Sequence, residues 1–287
     1  MEDAFMKVLS TRVGAAWRAA AIFGALALGL AGMARSAGAQ ETTKLMDYYV
    51  AVVSDYVFRG ADVYRSVYAQ REEEESAFNV APALQPNVSF YSTSGFWFNF
   101  WGSFALTERE EDEAKGFSGL ATLDEVDTTL GYDWENRLGT FSVGIINYAL
   151  IHPSVQGEPG ANIQEMFFKW GLPVMEDLGP TLSHYVDSST ANTYTAVSVG
   201  GGEALSWGVN VGYGSRGAQG IQDVTATLAY ALGGGLAVNG NVAYRPTPQL
   251  HGYTSDGKYL SAKDGSEQDY PPALIWLGVS WGGEVTE

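Results

Sequence analysis

Three histidines, a scatter of carboxylates and a short supply of basic residues are the side chains through which this sequence could do chemistry. The chain holds His152, His184 and His251, no cysteine, and 33 acidic against 16 basic residues. The lack of cysteine removes thiolate metal sites, cysteine nucleophiles and disulfide cross-links. His184 and His251 have no second group at the spacing of a zinc or protease motif. His152-Pro153-Ser154 gives an H-x-S spacing, with Glu158 and Glu165 as candidate acids to orient the ring. Pro153, however, would disturb the strand such a pair needs, and the spacing reads better as loop. The glycine triplets 200–202 and 233–235 read as tight turns, because no helix follows either to cradle a phosphate. No catalytic residue, metal or cofactor is expected. Nucleic acid is excluded as a partner, since phosphate binding needs clustered Lys and Arg.

What remains is charge set at alternating positions. Glu125, Asp127 and Asp133 alternate with Val126, Thr128, Leu130, Tyr132 and Trp134. Val224, Ala226, Leu228 and Tyr230 alternate with Asp223, Thr225, Thr227 and Ala229, and the stretches 205–214 and 236–245 behave alike. Period two over about ten residues means strands with one apolar face, and about nine to eleven residues is the length of a tilted membrane-spanning strand. Twelve strands are predicted, near 47–60, 78–91, 96–105, 122–134, 139–151, 162–172, 180–187, 192–200, 205–214, 221–232, 235–245 and 272–282. Their connections alternate between long or polar stretches (61–77, 106–121, 246–271) and short turns such as "STSG" at 92–95 and "GG" at 233–234. That layout, with an even count, predicts an all-β transmembrane antiparallel up-and-down β-barrel. A soluble sandwich or ligand-binding barrel also alternates, but has no reason to segregate its loop lengths.

The N-terminus agrees with export. Lys7, Arg12 and Arg18 precede an apolar run from Ala19 to Ala34, followed by the small-x-small site Ala37-Gly38-Ala39. Residues 1–39 therefore read as a cleaved signal peptide and 40–287 as the barrel, placed in the outer membrane of a Gram-negative bacterium. Removing residues 1–39, which carry four basic and two acidic side chains, takes the net charge from −17 to −19. The partners expected of such a barrel are outer-membrane lipid and lipopolysaccharide, the barrel assembly machinery, and small hydrophilic solutes.

If the apolar parity faces lipid, the lumen receives Asp55, Arg59, Glu125, Asp127, Asp133, Glu165, Lys169, Asp223 and Arg245. Six acids against three bases predict a pore that prefers cations; the alternatives are charges that pair and plug a non-conducting barrel, or a lipid-modifying enzyme. The stretch "SDYVFRG" at 54–60 is expected to be the upper end of the first spanning strand, with Asp55 and Arg59 inward, about 13 Å apart, and Tyr56 and Phe58 toward lipid. Aromatic residues near strand ends are expected to form interfacial belts: Tyr48, Tyr56, Phe58, Phe90, Tyr91, Phe96, Tyr132, Trp134, Tyr148, Trp170, Tyr213, Tyr230, Tyr244 and Trp281. The acidic runs at 71–76 and 108–113 read as solvated charge or as a funnel for cations.

Two resemblances follow from these residues. The His152 and Ser154 spacing resembles that of lipid A deacylase barrels, over three residues only. "VSDYVFRG" at 53–60 resembles the opening signature of the TorF-type family of proteobacterial outer-membrane porins. "APALQPNVSFYSTSGFWFNFWGS" at 81–103 and "DEVDTTLGYDWE" at 124–135 are similar to that family's next strands, and the likeness covers roughly residues 48–151. It implies a single outer-membrane barrel acting as a porin of unassigned solute. The chain departs from the pattern in its acidic first two loops and in ending on "GGEVTE" after Trp281 rather than on an aromatic residue.

Overall fold

A computed structural model of the chain describes residues 44–59, 61–63, 81–106, 122–150, 162–174, 178–251, 255, 258–260, 267–269 and 271–287. The elements run β1 (Lys44–Val53), the two-residue β2 (Val57–Phe58) and β3 (Ala61–Asp62), β4 (Ala83–Tyr91), β5 (Phe96–Ala105), β6 (Thr122–Asn136), β7 (Gly139–Leu150), β8 (Asn162–Gly171), β9 (Thr181–Asp187), β10 (Thr193–Gly202), β11 (Leu205–Gly214), β12 (Gly220–Gly233), β13 (Leu236–Tyr244), the short β14 (Lys258–Leu260) and β15 (Glu267–Asp269), and β16 (Ala273–Thr286). Twelve of them close into an antiparallel barrel, each pairing with its neighbours along the chain and β1 completing the ring against β16. Closure leaves no unpaired strand edge, the condition a sheet must meet in lipid.

Parity follows the hydrophobic pattern. Val50, Val52, Phe100, Leu130, Ile145, Val197, Leu228, Leu277 and Val279 are exposed large apolar side chains on the outer face. On the other parity Glu125, Asp127, Asp133, Glu165, Lys169, Asp223 and Arg245 turn inward. A one-residue slip would exchange the two sets, so the charges pin the register. The turn end of the barrel carries a run of outward rings: Phe96–Tyr132 (centroids 4.8 Å apart), Tyr132–Trp134 (5.9 Å), Trp134–Phe141 (5.3 Å) and Phe141–Trp170 (5.9 Å). Trp170 Nε1 donates to the Leu138 carbonyl at 2.8 Å and Trp281 Nε1 to the Gly234 carbonyl at 3.1 Å. Trp170 and Trp281 thus combine an apolar body with a satisfied polar edge, as an interfacial belt requires, whereas the Trp134 Nε1 has no hydrogen-bond partner among the described residues.

The predicted strand set holds with three corrections. The first strand ends at Val53 rather than near residue 60, the second begins at Ala83 rather than near 78, and the last runs on to Thr286. Four predicted belt residues also fall elsewhere. Tyr56, Phe58, Tyr91 and Tyr148 face the lumen, because each hydroxyl or ring has a polar or cationic partner there: Tyr56 with Glu125, Tyr148 with Glu165, Tyr91 with Asp47 and Phe58 with Arg59. Among the described residues no helix is long and apolar enough to cross a membrane, a statement that leaves strands aside.

Candidate functional site

The site is built where β1 stops following the wall. Ser54 keeps the barrel's register, its N–H donating to the Leu277 carbonyl at 2.8 Å and its own carbonyl accepting from Ala81 N–H at 2.9 Å. Beyond it the chain turns inward. The inner face of β1, β4 and β5 at this end is lined by small residues, and Ala51, Val53, Ala83 and Ala105 leave a niche in which Tyr56 buries with Val63 and Trp101 packed beside it. The Tyr56 and Trp101 ring centroids are 5.3 Å apart, and Tyr56 Oη donates to Glu125 Oε2 at 3.1 Å. A row of alanines on a strand face thus explains the departure: the wall makes room, and a tyrosine fills it.

From this anchor β2 and β3 pair as a miniature hairpin, Val57 with Asp62 and Phe58 with Ala61. Arg59 opens the two-residue connection with φ 49°. A primed hairpin turn needs positive φ there, at a cost of about 1–2 kcal/mol for an L-residue, and the sequence supplies glycine next. The strain is offset by what Arg59 reaches. Its Nη1 and Nη2 donate to the two oxygens of Glu165 at 2.8 and 2.7 Å. Its guanidinium also stands 4.4 Å from the ring centroids of both Tyr185 and Tyr194 and 4.7 Å from that of Phe58. Gln222 Nε2 donates to the Arg59 carbonyl at 3.0 Å.

The order of strands gives this contact its meaning. In a ring of twelve, β9 lies opposite β1, flanked by β8 and β10. Glu165, Tyr185 and Tyr194 belong to β8, β9 and β10, so the hairpin leaves one wall and fastens to the facing one. It is a strap across the lumen. Because Arg59 and Glu165 are only 14% and 12% exposed, the pair is held largely out of water. Tyr148 Oη adds a donor to Glu165 Oε2 at 2.9 Å.

On the turn side of the strap the lumen opens into a chamber of about 540 Å³. Its walls mix rings (Phe58, Tyr148, Tyr185, Tyr194, Trp276) with hydroxyl and amide groups (Thr181, Ser183, Ser198, Asn210, Thr225) and with Arg59, Lys169 and Asp223. Asp223 accepts from Tyr194 Oη, Asn210 Nδ2 and Thr225 Oγ1 at 3.0, 3.3 and 3.0 Å. Asp133 accepts from Trp97 Nε1 at 2.7 Å and Ser142 Oγ at 2.5 Å. Arg245 donates from Nε to the Pro271 carbonyl at 3.2 Å, beyond the chamber. It lies beside the turn Pro248–His251, whose His251 Nε2 donates to the Gln222 carbonyl at 2.8 Å. Burial, with Arg245 nearby, pushes the His251 imidazole down to about 4.

The residues selected from sequence divide accordingly. Arg59 and Glu165 meet in the strap, and Lys169 and Asp223 stand with Arg59 around the chamber. Glu125 and Asp127 lie on the loop side, Glu125 under Tyr56. Asp133 is held lower on β6, and Arg245 is held at the last loop. Asp55 is almost fully buried at the bend, not on a strand. Asp55 and Arg59 therefore do not share one extended strand, since β1 ends at Val53 and β2 covers only Val57–Phe58. Sequence reasoning missed Tyr185, Tyr194 and Gln222, the strap's far fastening. Tyr194 lies against Gly212, where a Cβ would enter the tyrosine's ring, a fit visible only once β10 and β11 are side by side. His152, Ser154 and Glu158 and the acidic runs at 71–76 and 108–113 lie outside the described residues. Among the described residues no group of three His, Cys, Asp or Glu could hold a metal ion.

No family model matches the sequence, and no curated protein does. Among solved structures the chain is similar to an outer membrane channel from Pseudomonas putida F1, at 8% identity and TM-score 0.42 over 88% of this chain and 100% of that one. It is also similar to a mutant porin of Rh. blastica, at 13% identity and TM-score 0.32 over 86% of this chain and 80% of that one.

Proposed function

We propose that the protein is a porin-like channel of the outer membrane, through which small hydrophilic solutes or ions diffuse passively, and not an enzyme. The observation that carries this is the chamber of about 540 Å³ lined by hydroxyl, amide and charged groups inside a barrel whose outer face is apolar. Polar residues with room around them hold water, and a water-filled lumen conducts. The likeness of "VSDYVFRG" and the strands after it to the TorF-type porins supports the same reading. Since the short turns of outer-membrane barrels lie on the periplasmic side, the chamber faces the periplasm and the strap faces outward.

Ion preference follows from the balance of inward charge. Arg59 pairs with Glu165, and the other inward acids, Glu125, Asp127, Asp133 and Asp223, outnumber Lys169 and Arg245, with Glu125 and Asp127 together on the loop side of the strap. An excess of acid concentrates cations, giving a cation preference that begins at the mouth. A second reading, a barrel that binds without conducting, draws on the strap itself, which fastens to the wall facing its origin.

Planar-bilayer recording separates the readings. A conducting barrel gives discrete steps, and a tenfold salt gradient gives a reversal potential of the sign for cations. Glu125→Gln with Asp127→Asn should move that potential toward zero. Silence from folded, inserted protein would leave only the binding barrel, and an anion-type potential would remove the argument from the mouth.

A further inference from the structure

The inward bases differ in how they are neutralised. Arg59 has a bidentate carboxylate, and Arg245 donates to a backbone carbonyl. Lys169 has neither. Its ammonium lies 5.1 Å from the centroid of the Phe167 ring, and among the described residues the salt bridges are Lys44–Asp47 and Arg59–Glu165. Ser183 is its cross-strand neighbour on β9 and Ser142 on β7, both hydroxyls. A half-buried ammonium amid hydroxyl groups, at the edge of an open chamber, lacks a counter-charge that the wall does not supply.

We propose that the chamber is a binding site for a small hydroxylated monocarboxylate, a sugar-acid type of solute, with its carboxylate on Lys169. This rests on the channel reading only in taking the lumen to be open to solutes. Ser183 donates to the carboxylate's second oxygen, the Thr181 hydroxyl being already given to the Gly179 carbonyl. Asn210 and Thr225, on the opposite flank of the chamber, meet the solute's hydroxyl groups. Tyr185 and Trp276 offer ring faces to its C–H bonds. Asp223 keeps its charge and is held on the wall by three donors, so the solute's carboxylate lies at Lys169 and its hydroxyl end faces Asp223. The acids at the mouth do not cancel the site. Lys169 aligns through Ser142 with Asp133, and Asp133 is six residues from Asp127. That is roughly 20 Å along the strand, against a screening length of about 8 Å at physiological salt. A lumen can thus prefer inorganic cations at its entrance and retain a carboxylate within.

The test is equilibrium binding of sodium gluconate to the purified whole barrel in detergent, read by tryptophan fluorescence and by calorimetry, with glucose as the uncharged probe. Gluconate is expected to bind saturably and at least tenfold more tightly than glucose. Lys169→Gln should weaken gluconate at least tenfold and leave glucose unmoved, and Lys169→Arg should restore most of the loss. Lys44→Gln, which removes a lysine at the barrel rim, should change nothing. If Lys169→Gln does not fold, Ser183→Ala carries the test with a loss of at least threefold. Equal binding of gluconate and glucose, or gluconate binding indifferent to Lys169, overturns the proposal. So does the absence of saturable binding to a barrel that conducts. Lys169-dependent binding to a barrel that is silent in bilayers upholds the site and removes the channel reading instead.

Discussion

The two walls of the lumen are built on opposite principles. From β5 to β8 the inner face carries Trp97, Trp101, Tyr148 and Phe167, together with Glu125, Asp127, Asp133, Glu165 and Lys169. From β11 to β13 it carries Asn210, Thr225, Thr227, Asn239 and Asn241, tied flat by bonds such as Thr227 Oγ1 to Asn241 Oδ1 and Asn241 Nδ2 to Asn239 Oδ1, both 2.8 Å. One wall fills space and the other leaves it. The lesson is that a barrel of intermediate strand number does not settle its bore by circumference alone. Side-chain volume on each wall, and a strap from one side to the other, decide where an opening lies. Each wall also has its own latch, the Arg59–Glu165 pair on the bulky side and His251 over Gln222 on the small one.

Breaking the bulky wall's latch should have the largest effect. Arg59→Ala strands Glu165 in a largely dry site, and removing one partner of a buried pair costs about 3–5 kcal/mol. Urea unfolding followed by heat-modifiable gel mobility should show a loss of that order. Bilayer steps should be larger than those of the parent, because the strap no longer spans the lumen. Arg59→Ala combined with Glu165→Gln should recover most of the stability while keeping the larger steps. Steps unchanged in both variants would mean that the strap does not set the bore.

The other latch answers to pH. His251 is held neutral, its folded value about 4 against an ordinary value of about 6.5. Between those values the undocked imidazole takes a proton that the docked one refuses, so the turn Pro248–His251 loses stability as pH falls from about 6.5 and the loss levels off below about 4. At its limit this is on the order of 3 kcal/mol. Hydrogen exchange at residues 249–251 should accelerate across that window, and His251→Gln should abolish the dependence. Exchange equally slow at pH 4 and pH 7 would contradict it.

How much of this was legible beforehand depends on what carries each signal. Period-two alternation is a local property, so strand existence, parity and register of Glu125, Asp127, Glu165 and Asp223 were all readable. The inward turn at Asp55 was not. "SDYVFRG" keeps the β-forming composition of the strand before it, and its departure is caused by Ala51, Ala83 and Ala105 on three strands, a coincidence visible only once β1, β4 and β5 are side by side. For the same reason Tyr56 and Tyr148 read as belt residues. An aromatic at a strand end belongs to lipid or lumen according to whether a carboxylate stands opposite, and Glu125 and Glu165 are distant in sequence. Charge counting also missed compensation, since it weighed Arg59 and Lys169 alike although only Arg59 has a carboxylate.

The walls can be compared at one glycine on each, Gly131 and Gly208, leaving aside Gly212 on β11, which lies under the Tyr194 ring. Gly131 and Gly144 face each other across β6 and β7, under the rings of Trp97 and Phe167, whose centroids are 6.0 Å apart. A Cβ on Gly131 would enter the Trp97 indole. Gly208, on the small wall, has 3.8 Å of clearance to its nearest neighbour, the Val199 carbonyl. Gly131→Ala should therefore cost about 1–3 kcal/mol, the usual range for overpacking, with a shift in tryptophan emission as the indole is displaced. Gly208→Ala should stay within about 0.5 kcal/mol, since strand backbone accepts alanine and the added methyl group meets nothing closer than the Val199 carbonyl. The pair, measured by urea unfolding, needs no functional assay. Equal costs would mean that both walls are packed alike and that the opening is not where the volumes place it. A cost at Gly131 alone ties the bulky wall's glycines to the rings that cover them and leaves the small wall as the side along which solutes pass.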